Sequence, residues 1–508
     1  MSPLTTIFAM THAARPRRGF GRRITRPAAA ILAATIVSAC STQMPPPPST
    51  SVPLASAFSN GGPSEAAAAA AAAASALDDA WWDSFGDATL ARLVQEALSA
   101  NLDVAMALQR VGQARAGADA QASRLWPTVG VQAAASRSRS GVPEPVRQGM
   151  PDTRVLRAGV DVAWEIDLAG GVRAARDAAQ ADAAGAAVGV QGARLLVASE
   201  VARQYFVLRS AEDRLRIVQA LAAAQGQTAT RVESRWREGE ASAFDLDRAR
   251  AEADALEAQL PALRVLRGTT QTKLAVLLGR NPSVPVVEAD PAFAWPTARA
   301  IAAGQPSELL RRRPDLVAAE ARVGAEALRS AEARAQWWPR LFLGALVGRE
   351  DLRLNALDLA PVHFSSVALA LAAPIFNAGR IEAGIQGQSA RADEALLAWQ
   401  KAVLVAVQEV EDSLLVRAQE TERHAALAQT VEHRRSSLQR AESLRREGQI
   451  DLLVLLDVQR SVLASELALS DSHLQQALAD VQLYKALGGG VARLAAADAT
   501  PLLARTPQ

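Results

Sequence analysis

The stretch "VLRAGVDVAWEIDL", Val155 to Leu168, alternates with period two. Leu156, Val160, Val162, Trp164 and Ile166 fall on one side, and Arg157, Asp161, Glu165 and Asp167 on the other. That is the pattern of a strand with one apolar and one charged face. The rest of the 508-residue chain speaks of helices: Ala, Leu, Arg, Glu and Gln dominate, and 4% of residues are aromatic. A second stretch, Val362 to Phe376, alternates large with small, setting Val367, Leu369 and Leu371 against Ala368, Ala370 and Ala372. Each stretch follows another extended segment across a polar loop containing Pro or Gly. This predicts two β-hairpins, over about 126–168 and about 338–376.

Each hairpin leads through a glycine corner, Gly170 or Gly379, into a span without proline. None occurs from Thr153 to Leu260, nor from Ile375 to Thr500. A helix from Arg173 to Arg235 would reach roughly 95 Å. A rod of that length needs neighbours alongside it. Ala- and Gly-rich segments such as Ala179 to Leu196 permit close approach, and Leu452, Leu453, Leu455, Leu456 and Val458 cover too wide an arc for one seam. A cylinder of helices fits both features, with a two-helix coiled coil as the plainer alternative.

The two halves match in register. Gly239 and Gly448 lie 209 residues apart, as do Gly170 and Gly379, Ser242 and Asp451, and Leu278-Gly279 and Leu487-Gly488. Nearer the start the offset is 212, for Asp103 with Asp315 and for Trp126-Pro127 with Trp338-Pro339. An internal duplication with one variable loop accounts for this. The repeats cover 80–290 and 291–490, each beginning with an amphipathic helix, about 90–123 and about 306–335.

Both repeats contain the same helical corner, "SRWREGEASAFDLDRAR" (Ser234–Arg250) and "LRREGQIDLLVLLDVQR" (Leu444–Arg460). Gly239 and Gly448 end helices in the left-handed conformation that glycine favours. Ser242 and Asp451 then stand where N-caps belong, with Asp245 completing a variant capping box. These corners are the far tips of two long helical hairpins.

At the amino terminus, residues 1–39 carry six Arg and no acid, followed by the apolar run Ala28 to Ala39 and the sole cysteine, Cys40. The run is too short to span a bilayer and has the form of a secretory signal. Val37-Ser38-Ala39-Cys40 resembles a bacterial lipobox, which implies lipidation of Cys40. Ser41 then favours the outer membrane. Without this segment the formal charge goes from +2 to −4, which argues against a nucleic-acid partner. Residues 40–79, Pro- and Ala-rich, read as a lipid-anchored linker, and 491–508 as a flexible tail.

In an outer membrane every backbone polar group within the hydrocarbon must be paired, so a sheet there has to close. Four strands cannot close, since barrels begin at about eight. Three chains would give twelve, with the charged face lining a wet lumen. A soluble hairpin packed on the helices is the alternative that the residues leave open.

Several motifs then point to one family. They are "WWDSFGD" with "TLARLVQEALSANLDVAMALQRVGQARA" (Trp81 to Ala116), the two Trp-Pro junctions, "LAVLLGRNP" (Leu274 to Pro282), "APIFNAGR" (Ala373 to Arg380) and the two Arg-Glu-Gly corners. Over roughly residues 80–490 the chain resembles the outer-membrane factor family, TolC/OprM-like efflux channels, and its NodT-like lipoprotein branch most. The resemblance implies a mainly α, mixed α/β membrane protein. It would be a homotrimeric channel-tunnel with a twelve-strand outer-membrane barrel, a twelve-helix periplasmic barrel and an equatorial domain. It further implies a periplasmic adaptor, an inner-membrane RND transporter and export of drugs or other small molecules. By position, Asp457 matches the acidic residue of the periplasmic aperture, Leu453 its apolar neighbour and Arg460 a basic one. Arg235, Gly239, Ser242, Asp245, Gly448 and Asp451 fall at the tips, where the adaptor docks. At the place equivalent to Asp457 the first tip has Arg248, so a gate would be asymmetric.

No catalytic constellation, cofactor motif or metal spacing is present, and His12, His363, His424, His433 and His473 are scattered along the chain. Two other functions fit parts of the pattern: a type I secretion channel served by an ABC transporter, and a pore-free coiled-coil scaffold lipoprotein.

Overall fold

The computed structural model describes residues 52–60, 80–139, 141, 152–290, 293–296, 301, 303–354 and 357–489. The expected signal (1–39), the lipidated Cys40 and the tail (491–508) lie outside the described residues.

Two unbroken helices, α3 (Gly171–Arg237) and α8 (Arg380–Arg446), run 67 residues each, or about 100 Å. Both start from a left-handed glycine, Gly170 (φ +79°) and Gly379 (φ +82°), that turns the chain out of a strand. Alongside α3 lie α1 (Ala88–Ala100), α2 (Leu102–Ser123), α4 (Ala243–Glu257), α5 (Leu260–Leu277) and α7 (Pro314–Ala335). Helix α9 (Leu452–Ala486) packs between α8 and α3, and the short α6 (Leu309–Arg312) precedes α7. Where α3 meets α7 the facing residues are small: a Cβ on Gly185 would touch Ala321 at 3.4 Å. The Ala- and Gly-rich sequence thus sets how closely the rods approach.

The sheet holds β1 (Thr128–Ser138), β2 (Thr153–Ile166), β3 (Arg340–Leu354), the two-residue β4 (Leu357–Asp358) and β5 (Val362–Ala372). All pairs are antiparallel, in the order β1-β2-β3-β5, with β4 on the end of β3. The two hairpins therefore join through β2 and β3, with Val160 opposite Val347 and Val162 opposite Ala345. Four long strands match the expectation, and β4 is an addition the pattern did not signal. At the β2–β3 crossing Gly159 faces Gly348, and a Cβ on Gly348 would run into Ala158 O and Phe364 Cζ. The Phe364 ring lies across this bare backbone and carries the Arg157 guanidinium 4.7 Å from its centroid.

The main core sits halfway along the rods, around Val197–Leu208 of α3 and Ala395–Leu414 of α8. Trp81, Leu90, Leu93, Leu278, Ile301, Leu316, Leu483 and Leu487 close onto it from the N-terminal, inter-repeat and C-terminal segments. Trp81 stacks on Tyr484 at 5.2 Å, and the Tyr205 hydroxyl donates to Asp87 Oδ2 at 2.5 Å. Each fully buried Leu or Phe of this belt is worth about 1.5–3 kcal/mol.

Four features differ from the sequence expectation. The helix expected over about 90–123 is two helices, broken at Asn101, whose Oδ1 accepts from Asp103 N and Val104 N while its Nδ2 donates to Leu277 O at 2.8 Å. One side chain caps α2 and ties it to the end of α5. The helix expected over about 306–335 is broken at Arg313, because the residue before a proline is pushed out of the helical region. The first return helix is split between α4 and α5, with Pro261 in the first turn of α5, whereas α9 is continuous. Finally, the 40–79 linker is more than a tether. Phe58 is buried in the main core, Val52 and Leu54 pack against it, and Ser59 N and Asn60 N donate to the Glu411 carboxylate at 2.7 and 3.0 Å. Three apolar residues spaced through residues 52–58 are enough to dock it, a signal masked by the Pro and Ala runs on either side.

Candidate functional site

The two tips are built alike. Gly239 (φ +78°) donates to Trp236 O at 3.0 Å and Glu240 N to Arg235 O at 2.7 Å. Gly448 (φ +74°) donates to Arg445 O at 3.1 Å and Gln449 N to Leu444 O at 2.9 Å. These are paired Schellman closures, in which a left-handed glycine lets the chain cover the last carbonyls. Ser242 Oγ accepts from Asp245 N at 3.0 Å, and Ser242 N donates to Asp245 Oδ2 at 3.3 Å, a complete capping box. Asp451 Oδ1 accepts from Leu453 N at 3.1 Å. Arg235 lies 3.5 Å from Glu240, and Arg445 Nη1 donates to Ile450 O, so a cation steadies each turn.

A small apolar knot locks the tips together: Ala229, Val232, Leu246 and Ala249 of the first hairpin with Leu452 and Leu456 of the second. On the same turns of α9, Leu453 and Val454 stay exposed. Asp457 is 70% exposed and accepts from Arg460 Nη2 at 2.8 Å. Arg460 also stands 3.7 Å from Glu252 on α4, so it bridges the two return helices. Its hydrogen bond to Asp457, then the charges of Glu252 and Asp457, hold the guanidinium pKa above its usual value. The structure thus brings Asp457 and Arg460 into contact and leaves Leu453 beside them on the open face. The Glu252 partner carries no signal in the sequence, since it lies on the other hairpin.

Register separates the sheet into two faces. One carries Val129, Val131, Val160, Val162, Trp164, Ile166, Leu341, Leu343, Val347, Val367, Leu369 and Leu371. In a single chain much of this wall is exposed, Val131 to 84%, while Val162, Trp164, Ile166, Leu341 and Leu343 are half-buried. Trp126, Trp337, Trp338, Ile375 and Phe376 are exposed at its helical end, where tryptophans commonly mark a membrane–water boundary. The other face carries Arg157, Asp161, Glu165, Arg340 and Glu350, with Arg157 paired to Glu350 at 2.8 Å and Arg340 to Glu165 at 2.6 Å. The outer edges of β1 and β5 are paired to no strand among the described residues. No described helix is long and apolar enough to cross a membrane.

At the strand–helix corners, Asp167 Oδ2 accepts from Arg173 N and Arg173 Nε beyond Gly170, and Asn377 Oδ1 accepts from Ile381 N beyond Gly379. In the belt, buried Arg313 pairs with Asp315 at 2.8 Å and Glu409 at 2.6 Å and donates to Ala486 O. Burial lowers the pKa of Arg313 and the two carboxylates raise it, leaving a net rise. His424 and His473, distant in sequence, have ring centroids 4.5 Å apart, and His473 stacks on Trp295 at 5.4 Å. Among the described residues no group of three or more His, Cys, Asp or Glu could hold a metal ion.

The family model for "Outer membrane efflux protein" matches residues 93–280 and 305–489. The chain belongs to the outer membrane efflux protein family. Among relatives of this efflux protein, the pyoverdine export outer membrane protein OpmQ of Pseudomonas putida is 34% identical over 421 residues, covering 81% of this chain and 88% of OpmQ. Outer membrane protein OprJ of Pseudomonas aeruginosa is 30% identical over 82% of this chain and 87% of its own. The outer-membrane channel OprN superposes with a TM-score of 0.76 at 29% identity, covering 87% of this chain and 98% of OprN. The MtrE outer membrane channel of Neisseria gonorrhoeae, solved in its open state, superposes with a TM-score of 0.76 at 26% identity, covering 89% and 99%. This efflux protein is therefore an outer-membrane channel component.

Proposed function

We propose that three copies of this outer-membrane efflux protein close one tube. Each chain contributes four long strands to a twelve-strand barrel and two helical hairpins to a twelve-helix periplasmic tunnel. The tube is the exit duct of a tripartite pump, passing drugs or other small molecules from an inner-membrane RND transporter through a periplasmic adaptor. Cys40 carries the lipid anchor in the outer membrane.

One observation carries this reading: an apolar strand wall with an open edge on β1 and another on β5. In hydrocarbon both edges must be paired, and β1 of one copy meeting β5 of the next pairs them all. Arg235, Gly239, Ser242, Asp245, Gly448 and Asp451 form the adaptor-facing tips. Leu453, Asp457 and Arg460 form the periplasmic aperture, where three like-charged Asp457 carboxylates repel one another and the Arg460 bridges restrain them.

The test is direct. Unboiled protein from outer-membrane fractions should run on SDS gels as a heat-dissociable trimer and insert single channels into planar bilayers. A folded monomer with no conductance would end this reading and favour the pore-free scaffold.

A further inference from the structure

The polar face of the sheet has an uneven distribution of charge. Its upper end holds the Arg157–Glu350 pair and its lower end the Arg340–Glu165 pair, both internally neutral. Between them stands Asp161. Its register partners are Gly130 on β1 and Leu346 on β3, and the positions two residues to either side on its own strand are Gly159 and Ala163. Thr128, Gln132, Gly344 and Gly348 complete the surround, and β5 adds Ser366, Ala368 and Ala370 on this face. None of these is charged. A Cβ on Gly130 would lie 3.0 Å from Asp161 Oδ1, so the bare glycine gives the carboxylate room to lie across β1. Among the described residues no ion pair neutralises it.

We propose that Asp161 is a selectivity-determining residue of the outer exit, biasing the barrel lumen toward cationic and neutral solutes and against anionic ones. The inference rests on the trimeric-barrel reading and deepens it. Twelve strands about 4.8 Å apart, tilted by about 40°, close at a backbone radius of roughly 12 Å. Side chains reach inward, bringing three carboxylates within about 9 Å of the axis, comparable with the Debye length of ~10 Å at 0.1 M salt. Their fields overlap at the centre, and the low-dielectric wall focuses them. They act as a fixed field rather than as a binding site. The aperture at Asp457 is a separate filter, about 100 Å away by the length of the helices.

The experiment measures reversal potentials of purified trimers in planar bilayers under a tenfold KCl gradient. Parent and Asp161→Asn proteins are compared, both carrying Asp457→Asn so that the tip carboxylates no longer contribute. The expected result is a fall of about twofold or more in the potassium-to-chloride permeability ratio, with Asp161→Glu retaining the parent value. Asp161→Ser serves in the same comparison if Asp161→Asn does not assemble. Equal reversal potentials in parent and neutral variants overturn the proposal while leaving the channel intact. Absence of trimers or currents in the parent overturns the barrel reading itself, and the proposal with it.

Discussion

Arg460 Nη1 stands 3.7 Å from Glu252 Oε1, so the return helix of the second hairpin is joined to the return helix of the first beside the exposed Asp457. The bridge is solvated at both ends, where ion pairs are weak and salt-sensitive. If the proposed aperture closes through such contacts, it should open on modest provocation.

Asp457→Ala removes the carboxylate that anchors Arg460 and, in the proposed trimer, the charge that would repel its symmetry mates. Trimer amounts should stay unchanged, because the apolar knot around Leu452 and Leu456 does not involve Asp457. Passive entry of large antibiotics should rise severalfold, with larger single-channel conductance in planar bilayers. Glu252→Gln should move both readouts the same way and less far. Unchanged conductance in both variants would remove Asp457 from the aperture.

Val162→Asp places a carboxylate on the apolar wall, opposite Val129 and Ala345. On a lipid-facing strand this costs on the order of 2 kcal/mol per chain, and the proposed trimer would repeat it three times. Heat-dissociable trimer in outer-membrane fractions should fall sharply. Normal trimer yield would mean that this face does not meet lipid.

Phe58→Ala should release the strap of residues 52–60. The lost burial amounts to about 3 kcal/mol, against two backbone hydrogen bonds to Glu411 worth about 1 kcal/mol each, or somewhat more to a charged acceptor. Burial raises the pKa of Glu411, but the Ser59 and Asn60 N–H bonds outweigh it and leave a net fall. Limited proteolysis should then cut within residues 52–60 at protease concentrations that spare the parent, with the trimer otherwise intact. Equal resistance would show that Glu411, Val52 and Leu54 hold the strap without Phe58.

His473 makes belt stability depend on pH. Burial first, then the neighbouring His424, push its pKa down to about 4, despite an opposing pull from Asp213. An unfolded chain takes up the proton near pH 6.5, whereas the folded chain stays neutral to about pH 4. Between these values the unfolded state binds more protons, so stability falls as pH drops through that window. The loss is of order 1 kcal/mol per chain once solvent screening is allowed for. His473→Gln should flatten this part of the melting-temperature profile, read by loss of the trimer band on heating. An unchanged slope between pH 6.5 and 4 would assign the acid sensitivity to other groups.

Much of the architecture was legible because it is periodic and local. The period-two alternation in Val155–Leu168 is one face of a real strand, and Gly170, Gly239, Gly379 and Gly448 all adopt positive φ where the corners were expected. Ser242 and Asp245 cap α4 through neighbours three residues apart, which any reader of the chain can count. Both helix breaks were missed: Pro314 displaces Arg313, a rule readable in the chain, and Asn101 caps α2 while its amide also reaches Leu277 O.

What the amino-acid order determined by itself was the set of rods, strands and turns, since propensity, capping and proline placement act over a few residues. Tertiary structure alone decided which of these meet. It brought Arg460 to Glu252, Glu411 to Ser59 and His424 to His473. Those contacts join residues from about fifty to several hundred positions apart, and no local pattern encodes them. They exist because α7 and α9 each pack against both 67-residue helices and fix what stands at each height along them.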